Sequence, residues 1–141
     1  VEEAERQLNK ESGLLGLSGV SNDARDICEA IEAGNENAQL AIDVLIDSIR
    51  HWAGSFFFKM GGAEAIVFTA GIGENDADLR AAVCAGLEGF GVQIDPEANA
   101  KAIRGAEGVI STPDSSIQVL VIPANEELVI AREVFRKVKA S

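Results

Sequence analysis

The chain has 141 residues, 47% of them apolar, and 23 acidic against 12 basic side chains give it a formal net charge of −11. That length and apolar content suffice for one ordinary domain with a packed core. The acidic balance argues against a nucleic-acid backbone as partner, and no apolar run approaches the roughly 20 residues of a membrane span.

Residues 1–10 carry a polar helical pattern rather than that of a signal peptide, and Gly13 is its expected terminator. No capping residue precedes this helix, so the chain is expected to belong to something longer. After LLGLSG comes the polar turn SNDARD, where Ser21, Asn22 or Asp23 is placed to cap a short helix reaching Ala33, which Gly34 ends. From Asn35 to Met60 the apolar positions Ala38, Ala41, Ile42, Leu45, Ile46, Ile49, Trp52, Ala53, Phe56, Phe57 and Met60 recur at three- and four-residue steps. This predicts the longest helix, with its aromatic stripe in the core. His51 falls toward its polar side, away from any catalytic context.

Gly61-Gly62 breaks that helix, and the apolar run AIVFT predicts a strand covered on both faces. A glycine loop, GIGEN, follows, then a helix over DADLRAAVCAGL capped by Asn75 or Asp76. FGVQID suggests a short strand, Pro96 opens a small helix, and residues 109–111 and 117–122 suggest two more strands. Asn125 caps a final amphipathic helix to about Val138. Strands separated by helices predict an α/β sheet. Cys28 and Cys84 lie far apart without a neighbouring histidine or second thiol, so buried, reduced thiols are expected, as in a cytoplasmic protein.

Three stretches carry candidate chemistry. Gly71 and Gly73, between a strand and a helix N-terminus, are able to take positive φ and to let an anionic ligand approach the main chain. The spacing lacks both the dinucleotide fingerprint and the lysine of a Walker loop, so a tight strand-to-helix turn is an equal alternative. In IPANEE, residues 122–127, two carboxylates follow an Asn cap, which serves helix capping or, at Glu126, a hydrated Mg²⁺. Asp23 and Arg25 suit either a cap with a surface charge or a grip on a ribose hydroxyl and a base.

SGLLGLSGVSNDARDI, VFTAGIGEN and VIPANEELVIARE, in this order and at these separations, resemble the C-terminal portion of the acetate kinase family over almost the whole chain. The resemblance implies part of a ribonuclease H-like, actin-like ATPase domain, a sheet flanked by helices, with residues 1–141 as one C-terminal nucleotide-side domain or a fragment of a two-domain kinase. It implies reversible transfer of the γ-phosphoryl group of ATP to acetate, giving acetyl phosphate and ADP, with Mg²⁺. Position by position, it gives adenosine contacts to Asp23, Ala24 and Arg25, a second nucleotide segment to Gly71, Ile72, Gly73, Glu74 and Asn75, and the metal-associated carboxylate to Glu126. Ala24 is smaller than the family's usual apolar residue there, and Ala124 stands where the family commonly has Thr. The family's acetyl pocket and catalytic arginines, aspartate and histidine precede the stretch matched here, so no catalytic residue is assigned and the chain alone is expected to be inactive. A homodimer is implied, with neither nucleic acid nor membrane as partner. The alternatives are a non-catalytic dimerisation module, motivated by the Phe56–Phe58 run, or a segment of a propionate or butyrate kinase.

Overall fold

The computed structural model describes residues 1–139, without the side chain of Glu126. The chain divides into two compact units, Val1–Ala63 and Glu64–Ser141.

The first unit is helical: α1 (Glu2–Lys10), α2 (Gly13–Ser18), α3 (Ala24–Glu32) and α4 (Glu36–Met60). Capping fixes two of the helix starts. Asp23 accepts the Arg25 N–H ahead of α3, and Asn35 accepts those of Asn37 and Ala38 ahead of α4; these bonds satisfy amides that have no partner within the helix. Gly61, with φ 76°, ends α4 in the left-handed conformation that glycine adopts without steric cost. Both α2 and α3 pack on α4, and Ile27, Ala38 and Ala41 are fully buried.

Three expectations change here. Gly13 does not merely stop the first helix; it opens α2, which LLGLSG forms. The aromatic end of α4 is not core: Trp52 is 55% and Phe58 78% exposed, with Phe56 and Met60 also open. The buried residues of α4 are Ala38 and Ala41, both in its first two turns, so the later apolar positions keep their helical period without matching burial. Cys28 is exposed whereas Cys84 is buried, and both are free of disulfides. Cys28 lies about 100° round the helix from the buried Ile27, on α3's outer side.

The second unit holds a sheet of order β1-β3-β2, with β1 (Ala65–Phe68) parallel to β3 (Gln118–Val121) and β2 (Gly108–Val109) antiparallel to it. Val119 and Val121 on the central strand are fully buried and alternate with the more open Gln118 and Leu120, the period-two pattern of a strand. Ile110, Ile117, Leu79, Val83, Cys84 and Val92 complete this core. The edge strand β1 is not covered on both faces: Phe68 is buried, but Val67 remains 48% exposed. FGVQID makes no strand; a 3-10 turn at Glu88–Phe90 leads into it, and it contributes a single bridge, Ile94 to Ser111.

Four helices surround the sheet in sequence: α5 (Ala70–Asn75), α6 (Ala77–Cys84), α7 (Pro96–Lys101) and α8 (Glu126–Lys139). Asp76 caps α6 through Leu79, Asp95 caps α7 through Glu97 and Ala98, and Asn125 accepts the Leu128 N–H in the first turn of α8. The residues expected as a glycine loop therefore form a helix of their own, α5. Gly71 and Gly73 do not take positive φ; that conformation falls on Ala70, at 61°. Among the described residues, no helix is long and apolar enough to cross a membrane.

Candidate functional site

Strand β1 runs out at Phe68, whose carbonyl accepts the Ile122 N–H at 3.0 Å, so the ends of β1 and β3 leave the sheet side by side. From this shared edge the chain turns into α5 on one side and into the Pro123–Asn125 turn before α8 on the other. The left-handed Ala70 makes the first turn abrupt. Gly73 then passes close to Phe68: a Cβ at Gly73 would lie 3.5 Å from the Phe68 carbonyl carbon, ordinary van der Waals contact. At Gly71 an added Cβ would meet nothing within 4 Å.

Between these turns lies an open cleft of about 490 Å³, lined by Ala70, Gly71, Glu74, Gly105 and the segment Pro123 to Asn125 with Glu127. Its walls are tied by side chains. Glu74 Oε1 accepts the Ala124 N–H at 2.6 Å, joining α5 to the turn before α8. Asn75 uses both ends of its amide: Nδ2 donates to the Gly71 carbonyl at 2.9 Å, and Oδ1 accepts the Arg104 N–H at 3.0 Å. Arg104 itself holds φ 57°, so Asn75 secures a turn that a non-glycine residue adopts at a cost of about 1–2 kcal/mol.

The sequence groups Gly71 to Asn75 as one binding segment; in the fold they divide. Gly71 offers open main chain to the cleft, Gly73 backs onto Phe68, and Glu74 and Asn75 brace the walls. Ile72 is exposed. In the first unit, Asp23 and Arg25 form their own pair: Arg25 Nε and Nη2 donate to the Asp23 carboxylate at 3.0 and 2.5 Å. The Arg25 side chain bonded to it, and then the Arg25 amide, hold the Asp23 carboxyl down at about 2. Ala24 is the first residue of α3. The metal assignment to Glu126 concerns a side chain outside the described residues. Among the described residues, no group of three or more His, Cys, Asp and Glu side chains stands ready to hold a metal.

Sequence reasoning passes over Arg80, which the fold buries completely behind α5. The signal was present: with Val83 and Cys84 it forms a three- and four-residue stripe on the core side of α6.

Comparison with known proteins identifies the lineage. A model of the acetokinase family matches residues 1–132. The acetate kinase of Methanosarcina barkeri is 55% identical over 131 residues, covering 93% of this chain and 32% of that protein, and that of Syntrophomonas wolfei is 48% identical over 137 residues, covering 97% and 34%. Among solved structures, the Porphyromonas gingivalis acetate kinase superposes with a TM-score of 0.84 at 42% identity, over 94% of this chain and 33% of that one. A propionate kinase from Francisella tularensis gives 0.80 at 36% identity, over 94% and 33%. The chain thus spans about a third of the length of the relatives it matches, and its small sheet flanked by helices is the expected piece of an actin-like ATPase fold. With a family match over nearly its whole length, the chain belongs to the acetokinase family.

Proposed function

We propose that this chain is the nucleotide-side part of an acetate kinase, holding ATP or ADP with Mg²⁺ while the remainder of the enzyme supplies acetate and the groups that act on the migrating phosphoryl. The observation that carries this reading is the cleft between α5 and the Pro123–Asn125 turn, open to main chain at Gly71 and beside the N-terminus of the 14-residue α8. A helix N-terminus favours negative charge. Family resemblance adds adenosine contacts at Asp23, Ala24 and Arg25.

The electrostatics of the cleft support a metal-bound rather than a bare nucleotide. Among the described residues its charged lining consists of the carboxylates Glu74 and Glu127, with no basic side chain. A polyphosphate meeting these groups is repelled unless a hard cation stands between them, and carboxylate oxygens are the donors Mg²⁺ takes. Glu126, next to Glu127, would hold that ion, directly or through water. When bound, the metal neutralises phosphoryl oxygens. The chain's own residues do the positioning: Gly71 admits the ligand to the backbone, while Glu74 and Asn75 keep the walls at a fixed separation.

Phosphoryl transfer needs donor and acceptor held in line, with cationic groups around the transferred oxygens. The cleft supplies one half of that arrangement, so the 141 residues alone have negligible turnover. A calorimetric titration with ADP, with and without Mg²⁺, tests the reading: saturable binding that weakens without the metal supports it, and absence of binding at millimolar Mg-ADP refutes it.

A second reading has its own observation. Trp52, Phe56, Phe58 and Met60 leave the C-terminal end of α4 broadly apolar and exposed, which suits a homodimer contact. Light scattering across concentration reads this directly, and a monomer at all concentrations excludes it for this chain. Acetate is the favoured acceptor; the likeness to a propionate kinase keeps a slightly longer acid as the neighbouring substrate. Cysteines outside any disulfide suit a cytoplasmic setting.

A further inference from the structure

Arg80 is fully buried, yet among the described residues it forms no ion pair. Its guanidinium is instead surrounded by neutral oxygens. Nε donates to Asn99 Oδ1 at 2.8 Å, Nη1 to the Gly73 carbonyl at 2.8 Å, and Nη2 to the carbonyls of Asn99 at 2.8 Å and Ala102 at 2.9 Å. Burying a charge without a counterion is costly, and an apolar side chain of similar volume would fill the same space without that cost. What an apolar residue cannot do is join three separate carbonyls from one planar group.

Those carbonyls belong to particular places. Gly73 lies in α5, the wall that carries Gly71. Asn99 and Ala102 lie at the C-terminal end of α7, where donors run short: the Ala98 and Asn99 carbonyls share the single Ala102 N–H. Two residues beyond Ala102 the chain reaches Arg104, tied to Asn75, and then Gly105, which also lines the cleft. Asn99, also buried, closes the arrangement by donating from Nδ2 to the Ala77 carbonyl at 2.8 Å. Burial lowers the Arg80 pKa from the ordinary arginine value, and the charge of Asp76 opposes that shift.

We infer that Arg80 is the positioning residue of the nucleotide cleft: from behind, touching no ligand, it clamps the Gly73 carbonyl to the end of α7 and so fixes α5 against the Arg104-Gly105 turn. This rests on the nucleotide reading for its consequence but not for its geometry, and the test separates the two. In the full chain, Arg80→Lys keeps the cation and loses the planar fork. Hydrogen exchange then reads the walls directly: the Asp76 and Arg104 amides are expected to exchange about tenfold faster or more, with the Val119 and Val121 amides of β3 unchanged. Mg-ADP affinity measured on the same sample is expected to fall about tenfold. Arg80→Lys protein that is folded and exchanges like the parent at Asp76 and Arg104 overturns the clamp, whatever the nucleotide does. Faster exchange with parental Mg-ADP affinity overturns the link from clamp to cleft, whereas a parent chain that ignores Mg-ADP sinks the nucleotide reading and leaves the clamp to be decided by exchange alone. If Arg80→Lys does not fold, Asn99→Ala serves: it removes one acceptor and the Ala77 bond but keeps the charge. It is expected to speed exchange at Asp76 and Arg104 by a smaller factor, and no change there overturns the inference.

Discussion

Replacing Gly71 by alanine separates what the backbone of α5 requires from what a ligand requires. The residue is helical, its φ is not positive, and an added Cβ meets no atom within 4 Å. For the fold alone the change is therefore favourable. Alanine is better than glycine in a helix interior by about 0.8–1.0 kcal/mol, and about half of that is reasonable for the second residue of a six-residue helix. Stability should rise by about 0.5 kcal/mol, or about 1–3 °C in melting temperature for a chain of this size. The same methyl projects where the open main chain borders the cleft. If the nucleotide approaches that backbone, the extra carbon costs about 1–3 kcal/mol of contact, so Mg-ADP should bind roughly 5- to 150-fold more weakly. Thermal melting and calorimetric titration on the same preparation read both signs. A variant that melts higher and binds Mg-ADP as tightly as the parent would refute the role of Gly71 as an approach surface; one that melts lower would refute the helical account of α5.

The neighbouring substitution Ala70→Gly should relieve the φ of 61° and stabilise the chain by up to about 1 kcal/mol, seen as a higher denaturant midpoint with unchanged slope. Glu74→Ala removes the acceptor of the Ala124 N–H and should cost about 0.5–1.5 kcal/mol, with faster amide exchange at Ala124 as its local signature. The Asp23 carboxyl should titrate at about 2 in a carbon-13 NMR experiment, and Arg25→Ala should return it toward the ordinary carboxylate value. Because that folded-state pKa is depressed, the α3 cap it supports is fully present above the ordinary value of 3.8 and is lost as pH falls through about 2.

Local rules made much of the fold legible. Helix α4 announces itself by period and by its Asn35 cap, and Asp23, Asp76, Asp95 and Asn125 each stand where a capping side chain is needed. These signals involve neighbours within four residues, so sequence order displays them. What stayed hidden depends on distant partners. The apolar period of α4 continues to Met60, but period alone does not say which turns find something to pack against, and the aromatic end remains open. GIGEN looks like a loop because two glycines oppose helix formation; it becomes α5 because Phe68, Glu74–Ala124, Asn75–Arg104 and Arg80–Gly73 contacts hold it. Arg80 reads as a solvated charge unless its place in the stripe with Val83 and Cys84 is weighed against its type. FGVQID has strand character but finds a single bridge at Ile94, across from Ser111.

The central claim is that the cleft beside Gly71 takes an adenine nucleotide, and a crystal structure of the chain grown with Mg-ADP tests it most directly. The account requires phosphate density between Gly71 and the Pro123–Asn125 turn, with the metal on the Glu126 and Glu127 side. Saturating nucleotide with that cleft empty, or ADP bound at a place that leaves Gly71 and Gly105 untouched, would contradict it.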